Sequence, residues 1–185
     1  MSGTLVVQTL RGPASGANAN KIIVPSGQTL DARAGDFLPA AGQIVQELHN
    51  KITVHSSFNS TSYTDAAGFN MNITPKYSDS LIVISVWAKT LMDNSTNQCG
   101  QDHRLLRDSA VVVHQSQWQN YFNRNVTGSD IYPPLDFTVI DQPNTTSQVN
   151  YKLQGRTYAG GPGAWATDSN GGTVAFVMSV KEIAQ

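Results

Sequence analysis

LIVISVWA, residues 81–88, is a short run that is apolar at every position except Ser85. A half-buried strand alternates apolar and polar residues, because successive side chains point to opposite faces of the sheet. This run does not alternate, and both of its faces are apolar. It is therefore predicted to be a central strand that is covered on both faces.

The segments around this run show the alternation of half-buried strands. In residues 69–74 the odd positions are apolar and the even positions are polar. Residues 149–154 repeat the pattern, and residues 155–157 extend it. Residues 173–183 place four apolar residues on one face, with Lys181 and Glu182 marking the end of the strand.

Two further segments complete the prediction of strands. Residues 105–113 read as a hairpin around an Arg-Asp-Ser turn. Within residues 42–50, Ile44, Val45 and Leu48 would share a helical face, but the even-numbered apolar set continues to Ile52 and beyond, which favours a strand. The predicted strands cover roughly 43–56, 69–74, 80–91, 102–107, 110–116, 135–141, 148–158 and 173–183.

About eight short antiparallel strands within residues 43–185 predict an all-β domain. The expected architecture is an antiparallel two-sheet β-sandwich, jelly-roll-like in its number of strands. Residues 1–42 precede this domain as an extended segment punctuated by Gly and Pro. The sequence therefore predicts two parts: an N-terminal segment and a C-terminal β-sandwich.

Composition excludes several functional classes. Charged residues make up 14% of the chain and the formal net charge is −1, without a Lys/Arg cluster, so nucleic acid is not an expected partner. The sequence has no run of 18 apolar residues and no secretory signal, so neither membrane insertion nor secretion is expected. The single Cys99 excludes an intrachain disulfide framework and fits synthesis in a reducing compartment.

The N-terminal segment 1–42 is too rich in Gly and Pro for a helix, yet it carries apolar groups that a flexible linker does not need. These groups would remain in water unless another chain covered them. We therefore expect three copies to wrap into a stalk-like oligomerisation and attachment segment, with a flexible linker as the alternative. The candidate oligomerisation residues are Leu5, Val7, Ile22, Ile23, Val24, Leu30, Phe37 and Leu38.

Four stretches together resemble a modular protein of tailed bacteriophages, especially phages of cyanobacteria and related marine bacteria. They are GTLVVQTLRGPASGANANKIIVPSGQTLD (3–31), PAAGQIVQ (39–46), ITPKYSDSLIVISVW (73–87) and RLLRDSAVVVH (104–114). Such proteins are tail fibres and other virion appendages, usually trimeric, with an N-terminal attachment segment and a C-terminal β-domain.

The resemblance implies a structural and adhesive role in a virion, for a protein that is made in the host cytoplasm. It implies a homotrimer that joins other virion proteins through its N-terminal segment and contacts a host cell-surface glycan. The alternative is a purely structural capsid decoration or baseplate connector without a receptor site.

The best candidates for receptor contact are aromatic residues in two predicted loops. In 117–134, Trp118, Tyr121 and Tyr132 lie with Arg124 among several amides; aromatic faces stack on sugar rings and the polar groups bind hydroxyls. The alternative is that these aromatics plug the sandwich end or a subunit interface. Trp165, in a Gly-rich loop, is either a contact residue or a lid over the core.

The sequence carries no pattern for catalysis, a cofactor or a metal. His49 and His55 would lie about 20 Å apart along one strand, too far to share an ion. No nucleophile elbow or phosphate-binding Gly loop is present. An enzyme is therefore not expected. The acidic residues weighed for a glycosidase pair, and interpreted instead as turn or loop residues, are Asp65, Asp102, Asp108, Asp130 and Asp141.

Overall fold

The chain divides into two compact parts, Met1–Leu38 and Pro39–Gln185. The computed structural model describes residues 13–17, 19, 23, 26, 39–92, 98–115, 121–123, 130–159, 163–165 and 176–185. For residues 98–99, 114–115, 121–123 and 158–159 only the backbone is described.

The first part is described at eight residues. Gly16 has a φ of 93°, and its carbonyl oxygen accepts a hydrogen bond from the amide of Ala19 at 3.0 Å, which closes a turn. Of the candidate oligomerisation residues only Ile23 is described, and it is 55% exposed. The others lie outside the described residues, so oligomerisation through this segment stays a prediction: Leu5, Val7, Ile22, Val24, Leu30, Phe37 and Leu38.

The second part is built from strands, and no helix occurs among its described residues. The strands are β1 (Ile44–Ile52), β2 (Ser56–Phe58), β3 (Thr64–Ile73), β4 (Leu81–Met92), β5 (Gln98–Arg107), β6 (Ala110–Gln115), β7 (Tyr121–Asn123), β8 (Pro134–Asp141), β9 (Val149–Ala159), β10 (Gly163–Trp165) and β11 (Phe176–Ile183).

Two antiparallel sheets form the sandwich. The long strands of one sheet lie in the order β1-β11-β4-β8, and β10 and β2 continue it beside the end of β4. The other sheet has the order β3-β9-β5-β6, with β7 also on β5. The eight long strands thus pair as nested hairpins, first with last, which is the arrangement of a jelly roll. The predicted two-sheet, jelly-roll-like sandwich is confirmed.

The strand predictions differ from the structure mainly at short elements. Most of residues 42–50, for which a helix was the alternative, lie in strand β1. The predicted hairpin is formed by β5 and β6, and Asp108 adopts a positive φ of 54° at its turn. The strands β2, β7 and β10 were not predicted. Each has three residues, too few to show a period.

The central strand β4 is buried on one face only, so the prediction that both faces are covered is wrong. Its even-numbered residues from Ile82 to Met92 are buried, whereas its odd-numbered residues are partly exposed and Trp87 is 53% exposed. Strands β8 and β11 cover the edges of β4, and the second sheet packs on the inner face alone. The apolar residues of its outer face are therefore left at the surface.

The core lies between the two sheets and is formed by the alternating apolar residues. Phe69, Met71 and Ile73 of β3 are buried, as are Tyr151 and Leu153 of β9, so the predicted alternation is confirmed in both strands. From the first sheet the core receives Ile82, Ile84, Val86, Phe176, Met178 and Val180.

One end of the core contains an aromatic and imidazole cluster. The indole of Trp165 is fully buried, lies 4.1 Å from the ring of Phe58, and donates from Nε1 to His103 Nδ1 at 3.3 Å. Gly155 faces this indole, and a Cβ there would lie 2.4 Å from Trp165 Cζ2. The absence of a side chain at residue 155 therefore makes the space that Trp165 fills.

Two carboxylates, the partly buried Asp141 and the buried Glu182, are satisfied within the sandwich. Asp141 accepts two hydrogen bonds from Arg107 Nη1, at 2.9 and 2.7 Å, and one from the Tyr151 hydroxyl at 2.6 Å. Burial, followed by the hydrogen bond to Asp141, raises the pKa of Tyr151 above its usual range. Glu182 accepts from Ser80 Oγ at 2.7 Å and is fully buried. It is the last residue but one of β11, so the predicted end of that strand is confirmed, although the carboxylate is buried and not solvated.

His103 is held neutral by its surroundings. Because Nδ1 accepts the proton of Trp165, the ring proton lies on Nε2. Nε2 has no hydrogen-bond partner among the described residues. Burial lowers the pKa of His103 to about 3. Protonation at mildly acidic pH is therefore disfavoured in the folded state.

We expect Gly155→Ala to destabilise the protein by about 1–3 kcal/mol, because the new methyl group overlaps the indole of Trp165. The measurement is the free energy of unfolding in denaturant. Trp165→Phe leaves room for the methyl group, so the double variant should lose less than the sum of the two single variants. Additive losses would contradict this account of the Gly155–Trp165 contact.

The pKa of His103 predicts a loss of stability in mild acid. A group whose pKa is lowered on folding binds protons more readily when unfolded, so stability falls as pH drops below the unfolded value of 6.5. Between pH 7 and pH 5 the contribution is about 2 kcal/mol. His103→Gln should remove that part of the pH dependence, whatever its effect at pH 7. His55→Gln, at an exposed position, should leave the dependence unchanged.

Candidate functional site

The residues predicted for receptor contact are only partly described. Trp118 and Arg124 lie outside the described residues. Tyr121 begins β7, which pairs with β5, and only its backbone is described. Tyr132 and Trp165 are described in full, so the predicted loop site can be compared with the structure at these two residues.

The structure does not bring Tyr132 and Trp165 together. Trp165 is in β10, opposite the inward-facing Thr90 of β4, and is fully buried. It is a lid over the core, and its role as an exposed contact residue is a wrong prediction. Tyr132 is partly buried, and the ammonium of Lys89, on the outer face of β4, lies 4.6 Å from its ring centre. The two aromatics thus belong to opposite faces of one sheet.

A different polar surface lies on the outer face of the five-stranded sheet. The alternation of β9 turns Asn150, Lys152, Gln154 and Arg156 outward while their neighbours fill the core. Each of these residues stands beside a residue of β3 or β5, as set by the antiparallel register. The result is a ladder of polar side chains across three strands.

One rung of the ladder crosses all three strands. Asp65 of β3, Gln154 of β9 and Arg104 of β5 lie side by side. Arg104 Nε donates to Gln154 Oε1 at 2.8 Å, and Gln154 Nε2 donates to Asp65 Oδ1 at 2.5 Å. The amide of Gln154 therefore connects the cation to the carboxylate. Lys152 Nζ donates to the second carboxylate oxygen of Asp65 at 3.0 Å.

The next rung is an ion pair between Arg156 and Asp102. Arg156 donates from Nε at 2.8 Å and from Nη2 at 2.7 Å, both to Asp102 Oδ2. Asp102 is 1% exposed, although it lies on the outward-facing side of β5. The hydrogen bond to Asp102 raises the pKa of Arg156. This rung fixes the position of the second guanidinium group.

Tyr63, immediately before β3, brings the two rungs together. The guanidinium carbon of Arg104 lies 3.9 Å from the Tyr63 ring centre, and that of Arg156 lies 4.8 Å from it. Burial, followed by the charge of Asp102, raises the pKa of Tyr63, so its phenol is protonated at neutral pH. We call Tyr63, Arg104 and Arg156, with the rung residues Asp65, Asp102, Lys152 and Gln154, the guanidinium cluster.

The charges of the guanidinium cluster do not cancel. Asp65 is paired with Lys152, and Asp102 is paired with Arg156. Gln154, helped by Lys152, holds the pKa of Asp65 below its usual value, although partial burial acts in the opposite direction. Within the described part of the chain, Arg104 has no carboxylate partner. The cluster therefore carries one positive charge in excess.

The outer face of the other sheet carries exposed apolar side chains in two pairs, on either side of the polar row Ser179, Ser85 and Thr138. Trp87 of β4 stands beside Val177 of β11, and Val83 of β4 stands beside Ile140 of β8. Trp87 is 53% exposed, Ile140 is 61% exposed and Val177 is 40% exposed. We call these four residues the apolar sheet face. A surface of this kind is typical of a protein contact.

The described residues offer no arrangement for metal binding: no three His, Cys, Asp or Glu side chains among them are grouped to hold an ion. Two of the five acidic residues weighed for catalysis, Asp102 and Asp141, are engaged with arginines. No helix among the described residues is long and apolar enough to cross a membrane.

No protein-family model and no curated protein matches the chain. Among solved structures, VP2 of infectious bursal disease virus in a subviral particle is similar with 15% identity over 91% of this chain and 40% of that chain, at a TM-score of 0.42. The insecticidal delta-endotoxin Cry8Ea1 of Bacillus thuringiensis shares 12% identity over 69% of this chain and 19% of that chain, at 0.33.

Latent PorU from Porphyromonas gingivalis shares 8% identity over 79% of this chain and 14% of that chain, at a TM-score of 0.37. The chain thus spans at most 40% of the length of these three proteins. The identities and TM-scores are too low to assign the chain to a family or to transfer a function.

Sequence reasoning missed the guanidinium cluster, although part of its signal was visible. The polar residues Asn150, Lys152 and Arg156 were correctly assigned to the wet face of a strand, whereas Gln154 and Thr157 are buried. What the alternation could not give is the identity of the neighbouring strands. Without the β5–β9 register, Arg104 cannot be placed beside Gln154.

We expect Asp102→Asn to lower stability by about 1–3 kcal/mol, because it removes the charge of a buried group that binds Arg156. Asp65→Asn is the matched control in the same ladder. Its side chain is 57% exposed, so the loss should stay below about 1 kcal/mol. Chemical denaturation of both variants measures the two losses of stability. Equal losses would show that Asp102 stabilises the fold no more than the exposed Asp65 does.

Proposed function

We propose that the protein is a virion structural protein of a tailed bacteriophage. In this proposal it is a trimeric tail-fibre or tail-tip protein, made in the host cytoplasm and incorporated into the virion. Residues 1–42 join it to other virion proteins, and the β-sandwich contributes to attachment at the host surface. The proposal assigns no catalytic activity.

The observation that carries the proposal is the apolar sheet face. Exposed apolar side chains that lie close together on a protein surface often mark a contact with another protein. Trp87 is the largest group on this face and more than half of it is exposed. The proposal gives this surface a role, since it is covered by a neighbouring subunit or virion protein in the assembled particle.

The jelly-roll fold is compatible with a virion structural protein. Jelly rolls occur in viral capsid and lectin domains, but a fold by itself does not specify function. The resemblance of residues 3–31, 39–46, 73–87 and 104–114 to phage tail-fibre and appendage proteins is the second support.

A purely structural role is the second candidate. The burial of Trp165 favours it, because one of the aromatics proposed for receptor contact serves the core instead. In that role the protein would be a capsid decoration or a baseplate connector. Immunogold labelling of particles and adsorption of purified protein to host cells distinguish the two candidates. Labelling at a tail tip with adsorption supports the attachment role, and labelling without adsorption supports the structural one.

The proposal predicts that Trp87→Glu weakens assembly without unfolding the subunit. A carboxylate would have to be desolvated in the contact, whereas at a surface position it stays hydrated in the isolated subunit. Sedimentation velocity should show a shift toward smaller species, with a melting temperature of the subunit close to that of the wild type.

Val111→Glu is the matched control. Val111 is 51% exposed but lies on β6, in the other sheet. It should leave the sedimentation profile unchanged. Full-length protein that sediments as a monomer at micromolar concentration, together with absence of the protein from purified particles, would contradict the proposed function.

A further inference from the structure

We propose that the guanidinium cluster binds the carboxylate of an acidic sugar, with Arg104 as the residue that pairs with it. The inference rests on the proposed function, in which the sandwich contacts the host surface, and it names the site and the ligand chemistry. It moves the contact from the predicted loops 117–134 and 159–172 to the outer face of the five-stranded sheet.

The first step of the argument is charge. Both carboxylates of the cluster are already bound, Asp65 by Lys152 and Asp102 by Arg156. Arg104 is the cation of the cluster that no carboxylate of the described residues neutralises. A partly buried guanidinium is most stable when its donors meet an anion. The partner that we infer for Arg104 is therefore an anion that the described residues do not supply.

The second step is geometry. Nε of Arg104 is committed to Gln154 at 2.8 Å, and its guanidinium plane lies 3.9 Å from the centre of the Tyr63 ring. These two contacts restrain the side chain, and among the described residues no group accepts a hydrogen bond from its terminal Nη groups. A planar fork of two N–H groups matches a carboxylate. Because the fork is held before binding, less entropy is lost when a ligand binds.

The third step concerns the rest of the ligand. The single excess positive charge fits a monoanion, whereas Asp65 and Asp102 would repel a polyanion such as nucleic acid. The exposed side chain of Asp65, in the same rung as Arg104, offers acceptors near the fork. Sugar hydroxyls can bind to such groups. Together these features specify a carboxylate next to several hydroxyls, as in a uronic acid.

The test uses the full-length protein and galacturonic acid, a monoanion, as the probe in isothermal titration calorimetry. The expected result is binding of galacturonic acid that disappears when its carboxylate is methyl-esterified. Inorganic phosphate and sulfate, titrated separately, should bind at least tenfold more weakly. Equal binding of the esterified probe, or of phosphate, would overturn the inference.

Variants then place the site. Arg104→Gln should weaken binding of the probe at least tenfold, with an unchanged melting temperature. Arg104→Lys keeps the charge and loses the fork, so its affinity should lie between those of the wild type and Arg104→Gln. It also tests the site if Arg104→Gln does not fold. An Arg104→Lys variant with wild-type affinity would overturn the paired-fork contact.

Lys89→Gln is the matched control, because Lys89 also lies over a tyrosine ring, 4.6 Å from the centre of Tyr132. It should bind the probe like the wild type. Loss of binding in Lys89→Gln with retention in Arg104→Gln would overturn the inference and return the contact to the Tyr132 region.

Failure of this inference can be told from failure of the proposed function. Full-length protein that adsorbs to host cells equally well with Arg104→Gln would overturn the inference and leave the virion role standing. Probe binding that depends on Arg104, in a protein absent from purified virions, would support the site and contradict the virion role.

Discussion

The antiparallel register of β5 and β9 is the constraint on which both the core and the candidate site depend. It sets His103 opposite Gly155 on the inner face, and Arg104 opposite Gln154 on the outer face. The inner pair leaves the space that Trp165 fills, and the outer pair forms the central rung of the polar ladder. A slip by one residue would exchange the faces and bury the charges. Core packing therefore fixes the geometry of the surface cluster.

The two outer faces of the sandwich differ in polarity, and the need for a packed core does not explain the difference. Packing needs one apolar face from each sheet, and both sheets supply it. The remaining face of the β3-β9-β5 sheet is polar, as water requires. The remaining face of the other sheet keeps Trp87, Val177 and Ile140. Folding of the subunit does not need these three groups on the outside, which is why we propose a contact outside the subunit for them.

The sequence predicted the fold class and most strands because period-two alternation is a local signal. It holds in 69–73 and in 149–153, where burial follows the pattern residue by residue. The same reasoning wrongly predicted that both faces of residues 81–88 are covered. An apolar residue in a strand does not by itself show whether another part of the protein covers it. Whether another protein covers the outer face of β4 depends on partners that the sequence of this chain does not contain.

Trp165 shows a second limit of local reasoning. Gly residues around it favour a mobile loop, yet three residues form β10 between β2 and β4. The reason is tertiary: Gly155 lacks a side chain on the facing strand, and Gly163 lies so close to Phe58 that a Cβ would be 2.5 Å from its ring. Gly163, one of the glycines that suggested exposure, is a residue that allows close packing. Its effect becomes visible only when the partner strands are known.

The separation of the two outer faces has a consequence for how the protein can change. The guanidinium cluster is carried by β5 and β9 with Tyr63 and Asp65, whereas the apolar sheet face is carried by β4, β8 and β11. The core lies between these strands, and substitutions at distant, unconnected positions usually have additive effects. In the proposed assembly, a change of ligand preference at Arg104 would therefore leave the proposed contact through Trp87 intact, and the reverse also holds. Such independence would let the proposed recognition surface vary while the proposed subunit contact stays fixed.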